Sequence, residues 1–385
     1  MYTKVTLEQA FQDHFAVKAD LCVKSPGRIN IIGEHTDYNN GFVMPAAIDK
    51  YIYVAISKRN DKTISLFSSD YNESYETSLG ASTESAPDWA KYILGAATIV
   101  NEKSNTLAGF NLYVVGEVPL GAGLSSSAAF SCATTFALNE LFDAKIERIE
   151  IAKIGQRIEH EFIGLKCGLM DQFASVMGKN NHAIKLDCQD LSFEYVPIDW
   201  SAYEILLLNT NVKHTLTSSA YNKRRESCEQ GVAWVRAHDM SVNSLRDVTL
   251  AQLDNYVRPK CEDTYTKCKF VVEENYRLIH AANALADNNI PLLGKLLFEA
   301  HWALSKEYEV SCEELDYLIR EAQSTNYVVG ARMMGGGFGG CTINIIKKGR
   351  SQDFVNEIES SYEKQFGFAL TPIHINLGDG TSIIN

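Results

Sequence analysis

The sequence predicts an α+β chain in two lobes, strand-rich first and helix-rich afterwards. Three observations lead there. Short β-rich runs fill the first eighty residues, apolar residues recur at three- and four-residue spacing from Ser218 onward, and 385 residues is long for a single core. The division falls near residue 205, giving lobes of 1–205 and 206–385.

Tyr51 to Ser57 alternates apolar and polar positions, Thr63 to Ser68 repeats the pattern, and Phe110 to Val115 is a further strand. Helices are predicted from Ser126 to Phe142, from Arg148 to Phe162 with Gly164 as the stop, and from Met170 to Met177 with Gly178 as the stop. Strands return at His182 to Leu186 and at Glu204 to Leu208, the latter bounded by Asn209 and Asn211. Four helices follow: Ser219 to Ala237, Tyr265 to Ala286, Ile290 to Glu307 and Glu313 to Gln323. Cys341 to Ile346 reads as a strand and Phe354 to Phe366 as the last helix. Which lobe takes Leu370 to Asn385 is left open.

Composition excludes several classes. Hydrophobic residues make up 45% and charged residues 22%, as in an ordinary soluble globular protein. A formal net charge of −12 without a Lys/Arg run argues against a nucleic-acid surface or a basic membrane patch. No apolar run reaches membrane-spanning length, and Met1 to Val5 has no apolar signal core. The nine cysteines are scattered without Cys-x-x-Cys spacing, so they read as thiols in a reducing cytoplasm. The nine histidines form no metal-spaced pair. His160 between Glu159 and Glu161 is a weak metal signal.

The most informative segment runs from Pro119 to Ala129. Gly121 and Gly123 let the backbone turn tightly beside a ligand, and Ala122, Leu124, Ser125, Ser126 and Ser127 lead into a helix. A Gly-rich loop at a helix N-terminus offers free N–H groups and a favourable dipole to a phosphate. The alternative is a serine-capped helix after a turn. No Gly-Lys-Ser/Thr follows, so this is not a Walker A loop.

Three further clusters carry chemistry. Arg28, Glu34, His35 and Asp37 fall within ten positions around a predicted apolar strand, Ile29 to Ile32, a dense set of directional groups suited to a polyhydroxylated ligand such as a sugar. Against this, Asp37 or Asn39 can form an Asx-turn and Glu34 can pair with Arg28 on the surface. Glu159 lies on a helix and Asp171 opens the next one. Such carboxylates can divide phosphoryl transfer, one holding Mg²⁺ and one meeting a substrate hydroxyl, or be solvated helix residues. Gly335, Gly336, Gly337, Gly339 and Gly340 imply close backbone approach, to a ligand or to a neighbouring loop. A strand follows these glycines, which is wrong for a dinucleotide fingerprint. Finally, Asn211 to Arg225 opens a helix with Tyr221, able to bond a sugar, and with Lys223, Arg224 and Arg225 on a face that solvation alone can explain.

These clusters, in this order, resemble the GHMP small-molecule kinases, with a close likeness to their galactokinase branch. Arg28 with Gly33 to Tyr38 is similar to the galactokinase signature, Gly121 to Ala129 to the family's phosphate loop, and the glycine cluster to its third motif. Cys167 to Phe173 and His214 to Arg225 also fit, and the likeness runs from about residue 20 to 346. Met334 departs from it, standing where galactokinases usually carry Thr, so no hydroxyl contact is assigned there.

The resemblance implies ATP-dependent phosphorylation of D-galactose at its anomeric hydroxyl, in a two-lobed GHMP-kinase-like fold. It implies sugar contacts from Glu34, His35, Thr36, Asp37, Gly168, Asp171 and Tyr221. It implies nucleotide contacts from the loop Gly121 to Ser127 and from Ser68, Mg²⁺ held by Ser127 and Glu159, Asp171 as base, and Arg28 as charge stabiliser. Galactose and ATP are the implied partners, for a cytoplasmic monomer or weak oligomer. An N-acetylgalactosamine kinase and a non-catalytic galactose/ATP sensor remain as alternatives. The Thr36 and Asn39 to Gly41 neighbourhood favours galactose, and the presence of Ser127, Ala128 and Asp171 favours an enzyme.

Overall fold

The computed structural model describes residues 2–119, 121–212 and 217–385, with no account of the side chains of 217–219. Leu120 of the predicted phosphate loop and residues 213–216 of the His214-to-Arg225 stretch lie outside it. The chain runs α1 (Lys4–Phe15), β1 (Leu21–Asn30), β2 (Phe42–Val43), β3 (Pro45–Lys58), β4 (Thr63–Ser68), β5 (Glu73–Ser78), α2 (Asp88–Ser104) and β6 (Phe110–Gly116). It continues α3 (Ser126–Phe142), α4 (Arg148–Ile158), α5 (Met170–Met177), β7 (His182–Asp187), β8 (Phe193–Pro197) and β9 (Tyr203–Asn209). Then come α6 (Thr217–Arg236), α7 (Leu250–Tyr256), α8 (Glu262–Ala286), α9 (Ile290–Lys306), α10 (Glu313–Ser324), β10 (Val328–Met333), β11 (Cys341–Lys347), α11 (Ser351–Phe366), β12 (Thr371–Ile375) and β13 (Ser382–Ile383).

The first sheet has the order β13-β1-β3-β6-β4-β5, antiparallel except for the β4–β6 pair. Both of its faces are covered. On β3, Ile52, Val54 and Ile56 enter the main core with α2, α3 and α4, while Tyr51, Tyr53 and Ala55 pack with Leu7 and Phe11 of α1. That two-period alternation between two apolar layers explains a strand buried almost throughout. A smaller sheet, β2-β7-β8, flanks it.

The second sheet runs β10-β11-β9-β12, all antiparallel. Its inner strand β9 faces two cores: Ile205 and Leu207 join the main core, Leu206 and Leu208 the cluster under α10 and α11. Residues 205 and 206, where the lobes were expected to divide, are therefore neighbours on one strand. The C-terminal segment serves both sheets, β12 pairing with β9 and β13 with β1.

The expectation of strands through the first eighty residues misses α1. Only Leu7 and Phe11 of that helix are buried, too few to print a helical period, and its start is fixed by a Thr3–Thr6 capping box. The predicted apolar strand Ile29 to Ile32 also ends early: β1 stops at Asn30, and Gly33 (φ +94°) turns the chain into the site. The helix predicted to Phe162 is α-helical only to Ile158. Glu159–Ile163 is a π-turn, closed by Gly164 at φ +84°.

Candidate active site

The site gathers where β1 ends, α3 and α5 begin, and the glycine run after β10 comes up against them. Gly27 makes a bulge in β1, where an added Cβ would lie 2.7 Å from the Leu124 carbonyl oxygen. That close approach lets the phosphate loop lie on the strand. Arg28 then donates its backbone N–H to Leu124 O (3.1 Å) and Nη1 to Gly123 O (2.6 Å). Its Nε and Nη2 take both oxygens of Asp171, at 2.8 and 2.9 Å. The Ser125 hydroxyl donates to Asp171 Oδ2 as well. Three donors fill three of the roughly four acceptor positions of a carboxylate, leaving one for a substrate hydroxyl.

Ser125 is the N-cap of α3 in left-handed backbone, and its side chain makes no capping bond because it is turned to Asp171. The first N–H groups of α3 thus keep the free donors and positive dipole end that suit an anion. Gly121 and Gly123 have φ of +73° and +72°.

The loop after β1 carries Glu34 and His35, both buried, and Asp37, half-buried at the cavity wall. Glu34 Oε1 accepts from Arg332 Nη2 (3.0 Å) and from the Gly335 N–H (2.7 Å). Its pairing is therefore with Arg332, not with Arg28 on the surface; its Oε2 makes no hydrogen bond among the described residues. His35 holds φ +63°, an uncommon conformation for a side-chain-bearing residue. Its Nε2 lies 3.3 Å from the Gly336 carbonyl, an acceptor only, so Nε2 carries the proton and Nδ1 accepts from the Tyr38 hydroxyl at 2.7 Å. Tyr38 in turn bonds Tyr308 at 2.8 Å. Burial lowers the His35 pKa to about 4, consistent with that neutral ring.

Asp37 opens a short 3₁₀ turn. Burial, reinforced by the Asp171 and Glu34 charges, pushes its pKa up to about 6, against the pull of the Tyr38 backbone N–H and of Arg28. Gly168 lies so close that any Cβ there would fall inside the Asp37 carboxylate. Tyr221, on α6, stands 5.2 Å from the His35 ring, centroid to centroid, and against Gly336.

Arg28, Glu34, His35, Asp37, Gly168, Asp171 and Tyr221 line one cavity of about 630 Å³. Thr36 is the exception among the expected sugar contacts. It is fully buried and donates its hydroxyl to Gly33 O (2.9 Å) and Phe42 O (2.5 Å), so it closes the turn instead of facing the cavity. Ser68, Ser126 and Ser127 line a second cavity of about 370 Å³ with Trp89, Tyr92 and Phe130, whose aromatic walls suit a flat heterocycle. Glu159 is 2% exposed and takes Gln172 Nε2 at 3.1 Å, with the Ser127 hydroxyl near enough to favour its charged form. Burial, with Asp171 adding to it, raises its pKa to about 7. A buried carboxylate beside a hydroxyl, short of positive charge, has the oxygen-donor chemistry a hard cation requires. Among the described residues no group of three acidic, histidine or cysteine side chains could hold a metal alone, so phosphate and water oxygens would complete such a site.

Sequence reasoning missed Arg332, wholly buried, which also donates to Ile31 O (2.7 Å), Met333 O (2.6 Å) and Asn30 O. Its signal was an arginine placed in an apolar strand immediately before the glycine run. The glycine cluster itself approaches both the cavity, through Gly335 and Gly336, and the phosphate loop, through Gly335 and Gly340.

Three family profiles match: the galactokinase galactose-binding signature at residues 9–58, the GHMP kinases N terminal domain at 91–179 and the GHMP kinases C terminal domain at 281–364. A galactokinase of Staphylococcus saprophyticus is 39% identical over 383 residues, covering 98% of this chain and 99% of its own. One of Thermotoga petrophila is 41% identical over 363 residues, 94% of this chain and 99% of its own.

The chain belongs to the galactokinase family.

Galactokinases are sugar kinases, and this family member is an enzyme of that kind. The crystal structure of Lactococcus lactis galactokinase complexed with galactose superposes with a TM-score of 0.92 at 32% identity, over 98% of this chain and 99% of that one. Methanococcus jannaschii mevalonate kinase, at TM-score 0.65 and 19% identity, shares the fold alone. The galactokinase signature covers Arg28 to Asp37, and the N-terminal GHMP profile covers the phosphate loop, Glu159 and Asp171. Among the described residues no helix is long and apolar enough to cross a membrane.

Proposed function

We propose that this galactokinase-family enzyme transfers the γ-phosphoryl group of ATP to the anomeric hydroxyl of D-galactose, with Asp171 and Arg28 at the reacting centre. The observation that carries the reading is the two-point Arg28–Asp171 pair beside the free N-terminus of α3, at the wall of a polar cavity.

Galactose occupies the larger cavity, with Glu34, Asp37 and Tyr221 taking ring hydroxyls and His35 shaping the wall. Its anomeric hydroxyl meets the open acceptor position of Asp171. As the O–P bond forms and the bond to the bridging oxygen of ADP breaks, Asp171 orients and then receives the hydroxyl proton. Arg28 balances the charge developing on the transferred group, and the N–H groups at the start of α3 hold phosphate oxygens. The smaller cavity takes the adenine, with Ser68 at its wall. Ser127 and Glu159 hold Mg²⁺, which when bound neutralises phosphate charge. The enzyme acts in the cytoplasm as a monomer or weak oligomer.

The test is ADP release with ATP and Mg²⁺ on galactose, N-acetylgalactosamine, glucose and arabinose. Turnover largely confined to galactose supports the reading; turnover on N-acetylgalactosamine instead replaces the substrate, and sugar binding without turnover replaces the enzyme with a sensor.

A further inference from the structure

The sugar-binding loop is ten residues long, Gly33 to Phe42, and both of its ends are tied to one helix from the other half of the chain. Glu274 and Asn275 are adjacent on α8 and buried, at 0% and 6% exposure. Glu274 Oε1 accepts the N–H of Gly33 at 3.1 Å, where the loop leaves β1. Asn275 Oδ1 accepts the N–H of Phe42 at 2.8 Å, where the loop enters β2. Neither acceptor is free to drift. The other Glu274 oxygen is paired with Arg277, and Asn275 Nδ2 donates to Val271 O, one turn back, at 3.0 Å.

The loop is shaped to admit that approach. A Cβ on Gly33 would lie 2.5 Å from the Leu278 side chain, and one on Gly41 would lie 2.5 Å from Asn275 Oδ1. Glu34, His35 and Asp37 all hang between the two tethered N–H groups. None of the groups on α8 lines the sugar cavity, so Glu274 and Asn275 touch no substrate.

We propose that Glu274 and Asn275 are positioning residues for the sugar site: two neighbouring acceptors on α8 set where the loop begins and ends, and through it the spacing of Glu34, His35 and Asp37. The inference rests on the larger cavity being the sugar site. Misplacing a group by about 1 Å can cost an active site on the order of a hundredfold, so holding the loop at both ends bears on the site's geometry and not on stability alone. The Arg28–Asp171 pair and α3 lie outside the tethered segment and are not held by it.

The experiment compares Glu274→Ala and Asn275→Leu with Glu274→Gln, which keeps an acceptor for the Gly33 N–H, measuring KM for galactose, KM for ATP, kcat and thermal unfolding. The expected result is a rise of about tenfold or more in the galactose KM of Glu274→Ala and Asn275→Leu, with the ATP KM within about twofold of wild type and substantial rescue in Glu274→Gln. Equal rises in both KM values, or a lowered unfolding temperature with unchanged sugar affinity, would overturn it. If Glu274→Ala does not fold, the galactose KM against the ATP KM of Asn275→Leu still decides. Wild-type enzyme inactive on galactose would count against the functional reading; wild-type activity with unmoved variants would count against this inference alone.

Discussion

Arg28 and Asp171 meet in a two-point ion pair, 2.8 Å from Nε to Oδ1 and 2.9 Å from Nη2 to Oδ2. The Arg28 side chain is 5% exposed and that of Asp171 28%, so the cation is enclosed while the carboxylate still reaches the cavity. Fork-to-fork pairing fixes orientation as well as charge. A strand bulge and a helix N-terminus thus bring together two groups 143 positions apart.

Asp171→Asn keeps the shape and removes the proton acceptor. Turnover should fall by about 10²–10⁴-fold, the usual contribution of a positioned general base, while galactose affinity stays close to wild type. ADP-release kinetics with a calorimetric galactose titration checks both halves; near-normal kcat would remove the assigned role.

Gly168→Ala tests packing instead of chemistry. The new methyl must displace the Asp37 carboxylate, and nothing about the Gly168 backbone itself forbids a side chain. The galactose KM should rise by about tenfold or more with the ATP KM little changed. An unaltered galactose KM would mean that Asp37 is not where the sugar binds.

The raised Asp37 pKa has a defined sign. At about 6 against an ordinary 3.8, the folded chain keeps a proton that the unfolded chain has lost between those values. The stability linked to it is complete below about pH 4 and lost as pH rises through 6. A sugar hydroxyl donating to Asp37 favours its ionised form, in a pocket it shares with Asp171, Glu34, Arg28 and the Tyr38 backbone. Galactose should therefore bind more tightly from pH 5 to 7 and release protons near pH 6. Identical binding heats in two buffers of different ionisation enthalpy would contradict this.

Ser127→Ala should raise the Mg²⁺ concentration needed for half-maximal activity while leaving galactose affinity intact. A metal titration at fixed ATP reads this directly, and an unchanged requirement would remove Ser127 from the metal site.

Much of this was legible along the chain. The bounds of α3 and α5 follow from helical spacing and, for α5, its Gly178 stop, and the group from Arg28 to Asp37 announces itself by density of polar residues around an apolar strand, whereas Asp171 stood out only through the family resemblance. Thr36 could not be told from its neighbours, because whether a hydroxyl faces a cavity or two backbone carbonyls depends on where Phe42 comes to lie. The partners of Arg332 and Glu274 could not be assigned for a related reason. Arg332 is one charge in an apolar strand and Glu274 one of several charges along α8, and the partner of each lies 298 or 241 positions away.

The sequence by itself determined the family, the phosphate loop and the residue types of the site, since these rest on short-range patterns of glycine, serine and charge. Only the tertiary structure decided that Glu34 is held by Arg332, that His35 is a neutral ring with both nitrogens engaged, and that one strand, β9, serves two cores. Those outcomes depend on which distant backbone groups burial leaves in need of a partner, and a buried polar group takes whichever partner the fold brings within about 3 Å.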